Sequence, residues 1–379
     1  MAQNVRSSNW SIKKLGDIFT LSAGGDVDKS LFSEKQDAQH PYPIYANALT
    51  DRGLYGYSSD YRVEQESITI TGRGDIGKVF YRVGKYTPIV RLVVGIPKEG
   101  ISAKYMSYAC SQIRFFNETT GVPQLTVPQV SWYKVAVPPL DEQEKISRIL
   151  SCWDDAIEQM QNLIAEKKEL KRGLMQQLLT GKIRFPGFAY IWENQKLGNM
   201  CIMFSGGTPS IDEPEYYGGT IPFIRSAEIN SDRTELFLTD AGIMNSSAKL
   251  VKNGDLLYAL YGATSGEVGI AKMAGAINQA ILCIRSETIN IKFLYYVLQN
   301  RKNSILSKYL QGGQGNLSAQ IMKKLHIVVP PMEEQRAIAD ILMTADEEIN
   351  LLNKKLDVLK EQKKGLMQKL LTGEIRVKV

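Results

Sequence analysis

The chain is poor in histidine, has no clustered cysteine and contains no long apolar run. Its 2 histidines are His40, before a proline, and His326, at the head of the apolar run ending at Pro330. Neither has a partner at metal-ligand or catalytic spacing, so histidine-based chemistry is not expected. Cys110, Cys152, Cys201 and Cys283 form no CxxC pair, which argues against a zinc site or a disulfide framework and suits a reducing cytoplasm. No stretch of about 18 apolar residues is present to span a membrane. The N-terminus lacks the apolar core of a secretion signal, so a cytoplasmic location is expected. Neither GxxxxGK[ST] nor an Asn-Pro-Pro-Tyr box occurs, removing the usual phosphate cradle of an ATPase and the amine clamp of an amino-methyltransferase. Gly72-Arg-Gly-Asp-Ile-Gly77 fits GxGxxG, but the residues after it read as a strand rather than a helix. A glycine-rich turn is expected there, not a dinucleotide loop.

What the chain does have is one stretch used twice. Residues Val137–Arg184 and Val329–Arg376 align without a gap, with about half of their positions identical. Repetition at this period fixes the architecture before any local reading. Pro138-Pro139 and Pro330-Pro331 mark a helix start just beyond them. Acidic residues Asp141, Glu142, Glu144, Glu333 and Glu334 suit the first turn, and Gly181 and Gly373 stand where a left-handed cap belongs. About 40 residues lie between, or roughly 60 Å of helix.

The apolar spacing in both copies is four-three. Ile146, Leu150, Trp153 and Ile157 keep it in the first, and Ile338, Leu342, Ile349, Leu352 and Leu356 in the second. Lys167, Lys171 and Lys363 interrupt it. A seam held over several heptads predicts a coiled coil, and pairing the two helices with each other is the economical way to cover it. Two independent amphipathic helices on separate cores are the alternative.

The remainder forms two bodies that share a plan. Trp10 and Trp192 each precede a Lys-Leu-Gly and then a Gly-Gly pair. In the first body Tyr42–Tyr45, Ser67–Thr71, Lys78–Val83 and Ile89–Ile96 read as strands, and Lys104–Phe116 as a helix. Residues 117–128 read as a loop and Tyr133–Val137 as a strand feeding the long helix. In the second body Asp255–Gly262 takes the place of Ser67–Gly74, and residues 292–306 echo the helix. Such alternation points to α+β or α/β bodies. Residues 1–140 hold 16 basic and 12 acidic side chains, and residues 181–332 hold 15 and 11, so each region is about +4. The positive charge sits on the bodies rather than on the rods, which permits nucleic-acid binding without demanding it.

Two loop-rich regions carry aromatic, arginine and amide residues suited to base edges and phosphates: 45–61 in the first body, and 206–210 with 216–228 in the second. Each alone reads more readily as an ordinary solvated turn, and the paired architecture is what favours the nucleic-acid reading. Arg73 and Lys78 are carried outward by the glycine turn, whose counterpart is Tyr261–Gly269.

The doubled rod motif, Pro-Pro-x-x-Glu-Gln before the helix and Gly-Leu-Met-Gln at its end, closely resembles the DNA specificity subunits of type I restriction-modification systems. Gly206-Gly-Thr-Pro-Ser210 and Gln314-Gly-Asn-Leu-Ser318 are similar to the same family, and the resemblance covers the whole chain. It implies an α+β protein with two similar α/β target recognition domains, residues 1–136 and 185–328. They would be joined by spacer helices, residues 137–184 and 329–379, as a pseudo-two-fold antiparallel coiled coil. It implies no cofactor, no metal and no catalysis by this chain. The implied partners are double-stranded DNA, two modification (methyltransferase) subunits and motor-nuclease restriction subunits, with self-association when these are absent. Each recognition domain would read one half of a split asymmetric site, with half-sites about 34–36 Å apart. The family shares no set of base-contacting residues. Loop chemistry therefore nominates Arg52, Arg73, Lys78 and Gln124 in the first body, and Thr208, Ser210, Arg225, Thr264, Gln314 and Asn316 in the second. Gln124 lies in Val122-Pro-Gln-Leu-Thr126, which departs from the pattern seen at Gln314. Two other readings compete: an enzyme that itself methylates or cuts DNA, and a coiled-coil adaptor that reads no sequence.

Overall fold

The computed structural model describes residues 9–116, 124–309 and 316–378. The chain divides into two compact units, residues 1–161 with 354–379 and residues 162–353. The division passes through both long helices, so each unit holds one body and one end of each rod.

In the first unit the chain runs β1 (Ser11–Lys14), α1 (Leu15–Ile18), β2 (Phe19–Ala23), β3 (Phe32–Ser33), β4 (Tyr42–Tyr45), β5 (Leu54–Ser58) and β6 (Ser67–Ile70). It continues through β7 (Val79–Arg82), β8 (Thr87–Pro88), β9 (Val93–Pro97), α2 (Ala103–Ser111), α3 (Val127–Trp132), β10 (Lys134–Val137) and α4 (Leu140–Leu178). β1 pairs with β10, β2-β9-β6-β7 form an antiparallel sheet, and β3-β5-β4-β8 form a second sheet closed by the parallel pair β4 and β8.

The second unit repeats this order. It runs β11 (Glu193–Lys196), α5 (Leu197–Met200), β12 (Ile202–Ser205), β13 (Tyr217–Ile224), β14 (Phe237–Leu238), α6 (Asp240–Met244), β15 (Lys249–Val251) and β16 (Leu256–Ala259). Then come β17 (Val268–Ile270), β18 (Gly275–Ile277), β19 (Ile281–Arg285), α7 (Ile291–Asn300), α8 (Lys302–Tyr309), α9 (Ala319–Lys324), β20 (His326–Val329) and α10 (Met332–Leu371). β11 pairs with β20, and β12-β19-β16-β17 match the first sheet strand for strand. β14-β13-β18-β15 carry the parallel pair β13 and β18. The mixed, mainly antiparallel sheets make this an α+β protein. The turn at Gly72–Gly77 joins antiparallel β6 and β7, as its glycines predict.

Several local expectations change. In the opening segment a single helical turn, α1, separates β1 from β2 and sends both Leu15 and Ile18 to the core. Lys-Leu-Gly is thereby explained, since a Cβ on Gly16 would lie 2.9 Å from Ser131 Cβ, and one on Gly198 2.9 Å from Lys323 O. Ile89–Ile96 is strand only from Val93, because Val90 and Arg91 take left-handed conformations. The helix expected over 104–116 ends at Ser111, and the one over 292–306 breaks at Arg301 into α7 and α8. Of the loop expected over 117–128, residues 117–123 lie outside the described residues. Its last part opens α3, which Thr126 and Gln129 start as a reciprocal capping box. The supposed loop 216–228 contains β13, and region 45–61 contains β5.

The rods are helical over 39 and 40 residues, and Gly181 and Gly373 end them at φ 68° and 71°. Within each unit the two rod ends run antiparallel. In the first unit Lys363 bonds Asp154, while Arg376 bonds Glu142 at 2.6 Å. In the second Lys167 meets Glu348 and Lys171 meets Asp346, both at 2.6 Å, and Arg184 meets Glu334. Ile146, Leu150, Ile338, Leu342, Ile349 and Leu356 are buried, whereas Trp153, Ile157 and Leu352 are half-buried. The three seam lysines are therefore not mere interruptions. Each reaches an acid on the facing helix, and Lys363 and Lys171 also lie over the rings of Tyr108 and Tyr296. Those tyrosines donate to Asp154 and Asp346, and burial together with the adjacent carboxylate holds both phenols protonated.

The Glu-Gln pair of each rod start fastens body to rod. Glu142, 1% exposed, accepts from Trp10 Nε1 at 3.1 Å and from Arg376 Nη2 at 2.7 Å. Glu334, 0% exposed, accepts from Trp192 Nε1 at 3.1 Å and from Arg184 Nη2 at 2.8 Å. Gln143 donates to Pro138 O and accepts from Ser102 N, the N-cap of α2. Gln335 does the same with Pro330 O and Asn290 N, the N-cap of α7. The sequence places Glu142 and Glu334 correctly in the first turn. Their larger role is as buried acceptors that satisfy an indole and a guanidinium together. Around these anchors lie the cores, with Leu15, Phe19, Ile68, Tyr105 and Ile146 in one unit and Leu197, Tyr258, Phe293, Leu294 and Leu342 in the other. Each fully buried large side chain contributes roughly 1.5–3 kcal/mol.

Candidate nucleic-acid interface

Two neighbouring parallel strands deliver their following loops to the same sheet edge. In the first unit this is where β4 and β8 end, with Tyr45 beside Pro88. Asn47, just beyond β4, ties the loops together: its Oδ1 accepts from Gly72 N at 2.7 Å and its Nδ2 donates to Val90 O at 2.5 Å. Gly72 must be glycine, because a Cβ there would lie 2.9 Å from Leu125 O and 3.0 Å from Arg91 O. Four loops, carrying Arg52, Arg73, Arg91 and Gln124, are thus pinned at one edge.

Arg73 donates from Nε and Nη2 to Gln124 Oε1 at 3.1 and 2.9 Å, joining two of the sequence candidates directly. Lys78 is exposed at the far side of the same turn, its backbone N–H bonded to Thr71 Oγ1. Asp51 and Arg52 both adopt left-handed backbones, φ 46° and 55°, and Arg52 donates to Tyr81 O at 3.3 Å. Beneath them lies Arg82, 4% exposed and stacked on Tyr45 at 3.6 Å. It bonds Thr69 Oγ1 at 3.0 Å and Arg52 O at 2.5 Å. Burial lowers its pKa to about 10, so it remains a cation at neutral pH. Arg82 therefore supports the turn that presents Arg52.

In the second unit the corresponding edge lies beyond β13 and β18, where Ile224 pairs with Ile277. Gly206 and Gly207 run so close that a Cβ on either would lie 1.8 Å from Ile277 O or Ser247 Oγ. Thr208, next in line, donates to Gln279 Oε1 at 2.6 Å, and Ser210 Oγ accepts from Asp212 N at 3.3 Å. The turn after β16 holds Thr264, whose enclosed hydroxyl has no partner among the described residues. Asn316 is exposed beside Leu317, which bonds back to Leu260 at the root of that turn. Gln314 lies outside the described residues. Arg225 is held by carboxylates, with Nη2 2.7 Å from both Glu228 Oε1 and Glu235 Oε2. Burial alone would raise the Glu228 pKa. Hydrogen bonds from the Arg225 side chain and backbone, the Glu235 N–H and the Thr234 hydroxyl outweigh it and hold the value at about 2.

The edges thus gather Arg52, Arg73 and Gln124 in one unit, and Thr208 and Ser210 with Gln279 in the other. Asn47, Arg82, Arg91 and Gln279 were not among the sequence candidates. The visible signal was a charge inside an apolar run at Arg91, and for Asn47 its place in a polar, aromatic loop.

A family model described as the type I restriction modification DNA specificity domain matches residues 7–169 and again residues 191–361. The chain belongs to that family. It is 26% identical to a Methanocaldococcus jannaschii protein named for a type I restriction enzyme specificity subunit, over 98% of this chain and 94% of that one. A second specificity subunit from the same organism is 24% identical over 98% and 94% of the two chains. A type I specificity subunit of Mycoplasma pneumoniae is 36% identical over 36% of this chain and 41% of its own. Among solved structures, the S subunit of a type I system from M. genitalium superposes with a TM-score of 0.66 at 15% identity, covering 98% and 97% of the chains. Another, from work on assembly and conformational transition of a type I system, gives 0.57 at 17% identity, covering 97% and 99%. At these identities the likeness is one of fold.

Proposed function

We propose that this chain selects the DNA sequence on which a type I restriction-modification complex acts, each unit reading one half of a split, asymmetric site. It is a specificity subunit and not itself an enzyme. Subunits of this kind bind DNA and assemble with modification and restriction subunits. The observation that carries the split-site reading is the duplication itself: two domains of one family in tandem, each presenting a polar loop edge built differently from the other.

On this reading the recognition domains are residues 1–136 and 185–328, and the helical spacers residues 137–184 and 329–379. Arg52, Arg73, Lys78 and Gln124 contact the first half-site, and Thr208, Ser210, Thr264, Gln314 and Asn316 the second. Arg225, already held by two carboxylates, serves more to shape its loop. The rods dock two modification subunits, to which motor-nuclease subunits add, and pair with a second copy of the chain when these are missing. No cofactor is needed for reading DNA, and the setting is cytoplasmic.

Selection from random duplex DNA tests the proposal, using this chain with its modification subunit and sequencing what is retained. Two short specified halves around a fixed blank gap are expected. A single continuous motif would leave only one reader, and no motif would favour an adaptor. Methylation or cleavage by the purified chain alone would revive the enzyme reading. Inserting four residues after both Leu163 and Lys355 adds about 6 Å of helix and should lengthen the gap. An unchanged gap would remove the rods as its ruler.

A further inference from the structure

We propose that Arg91 is a base-reading residue of the first unit, and that guanine is the base whose edge it fits. The inference rests on the half-site reading above and adds to it a residue and a base.

The turn between β8 and β9 is built in an unusual way. Val90 and Arg91 take φ values of 53° and 61°, the left-handed region that disfavours any side chain and a β-branched one most. Backbone strain of this kind persists only where the surroundings over-determine it, and it gathers at functional sites. Here the determination is complete on both faces of the turn. Val90 N bonds Gly25 O at 2.8 Å, Arg91 N bonds Gly24 O at 3.0 Å, and Asn47 Nδ2 bonds Val90 O. The core has no use for the result, since both Val90 and Arg91 are exposed.

What the turn does achieve is to aim a guanidinium. The other arginines of this edge are engaged: Arg73 with Gln124, Arg52 with Tyr81 O, Arg62 with Asp26 O, and Arg82 in the interior. The Arg91 side chain has no hydrogen-bond or carboxylate partner among the described residues. A fixed backbone beneath a free fork of donors lowers the ordering cost of binding. Arginine's two-pronged fit is to O6 and N7 of guanine in the major groove.

The second unit supplies the contrast. Register places Val93 and Leu282 at equivalent points, since they pair with Ala23 and Ser205, the residues just before the matched Gly-Gly of each body. Val90 and Arg91 therefore correspond to Gln279 and Ala280. No left-handed residue occurs in that turn, and Gln279 is already bonded to Thr208. The position that carries a free arginine in the first unit carries Ala280 in the second, as two readers of different half-sites require.

The test repeats the duplex selection with wild type, Arg91→Ala and Arg91→Lys, each in complex with the modification subunit, after matching their thermal transitions. Arg91→Ala should erase a guanine preference at one position of one half-site, a loss of roughly 5- to 150-fold in discrimination, with the other half and the gap unchanged. Arg91→Lys keeps the charge but not the planar fork, so it should retain the salt dependence of binding while weakening the preference. If alanine weakens all sequences equally and leaves the motif intact, Arg91 is a phosphate contact and the proposal fails. A wild-type split motif that neither variant alters sinks the inference alone. A wild type without a split motif sinks the half-site reading and this inference with it.

Discussion

The two places where the body of each unit meets something else obey opposite rules. At the rod, Trp10-Glu142-Arg376 and Trp192-Glu334-Arg184 repeat the same bonds, with indole donors at 3.1 Å in both. The paired glutamines repeat theirs as closely. At the loop edge the backbone frame repeats, with a parallel strand pair, a Gly-Gly loop packed on it, and matching bonds from Leu125 to Gly72 and from Leu317 to Leu260, but the side chains it presents do not. One edge has left-handed turns and cations bonded to neutral groups; the other has a hydroxyl bonded to an amide and an arginine locked to acids. A shared anchor with divergent edges is what a duplicated reader needs. The frame must stay the same for both units to serve one partner complex, while the edges must differ for the two halves to differ.

The largest effect should come from breaking the anchor. Glu142→Ala strips the acceptor from a buried indole and from Arg376; Glu334→Ala does so for Trp192 and Arg184. Losing one partner of a buried, hydrogen-bonded pair is costly, but Arg376 is two-fifths exposed and can rehydrate. Each substitution should therefore cost about 2–3 kcal/mol, read as a lowered urea midpoint at unchanged slope. Similar losses in both units sharpen the comparison. A loss in one unit with none in the other would break it, because the matching geometry would then not carry matching energy.

The same contrast explains what was legible in the sequence. The rods were readable because every signal was local: prolines before, heptads within, glycine after. The repeat also exposed the tryptophans and Lys-Leu-Gly as matched pairs. It did not say why they matched, since Trp10 and Glu142 meet across more than a hundred residues of chain and no periodicity reports that. Elements were missed where one local cue masked another. Gly218-Gly219 hid β13 inside a supposed loop, and Pro128 distracted from the capping pair Thr126 and Gln129. The edges were least legible. Arg91 sits in an apolar run that reads as strand, and its exposure depends on Gly24, Gly25 and Asn47, which approach it only in the fold.

The smallest effect concerns Arg225, the cation that most separates the second edge from the first. Its guanidinium holds Glu228, whose pKa falls from the usual 4.5 to about 2 against the opposing push of burial. A depressed carboxylate pKa adds stability that is fully present above the unfolded value and disappears as pH falls through the folded one. Glu228→Gln should therefore cost about 0.5–1 kcal/mol at neutral pH, the scale of a partly exposed ion pair. The gap between wild type and variant should narrow below pH 4.5 and close near pH 2, when urea midpoints are followed across that range. A gap that stays constant into acid would mean that Glu228 acts by packing rather than by charge. Arg225 would then be less firmly held by its acids than the geometry implies.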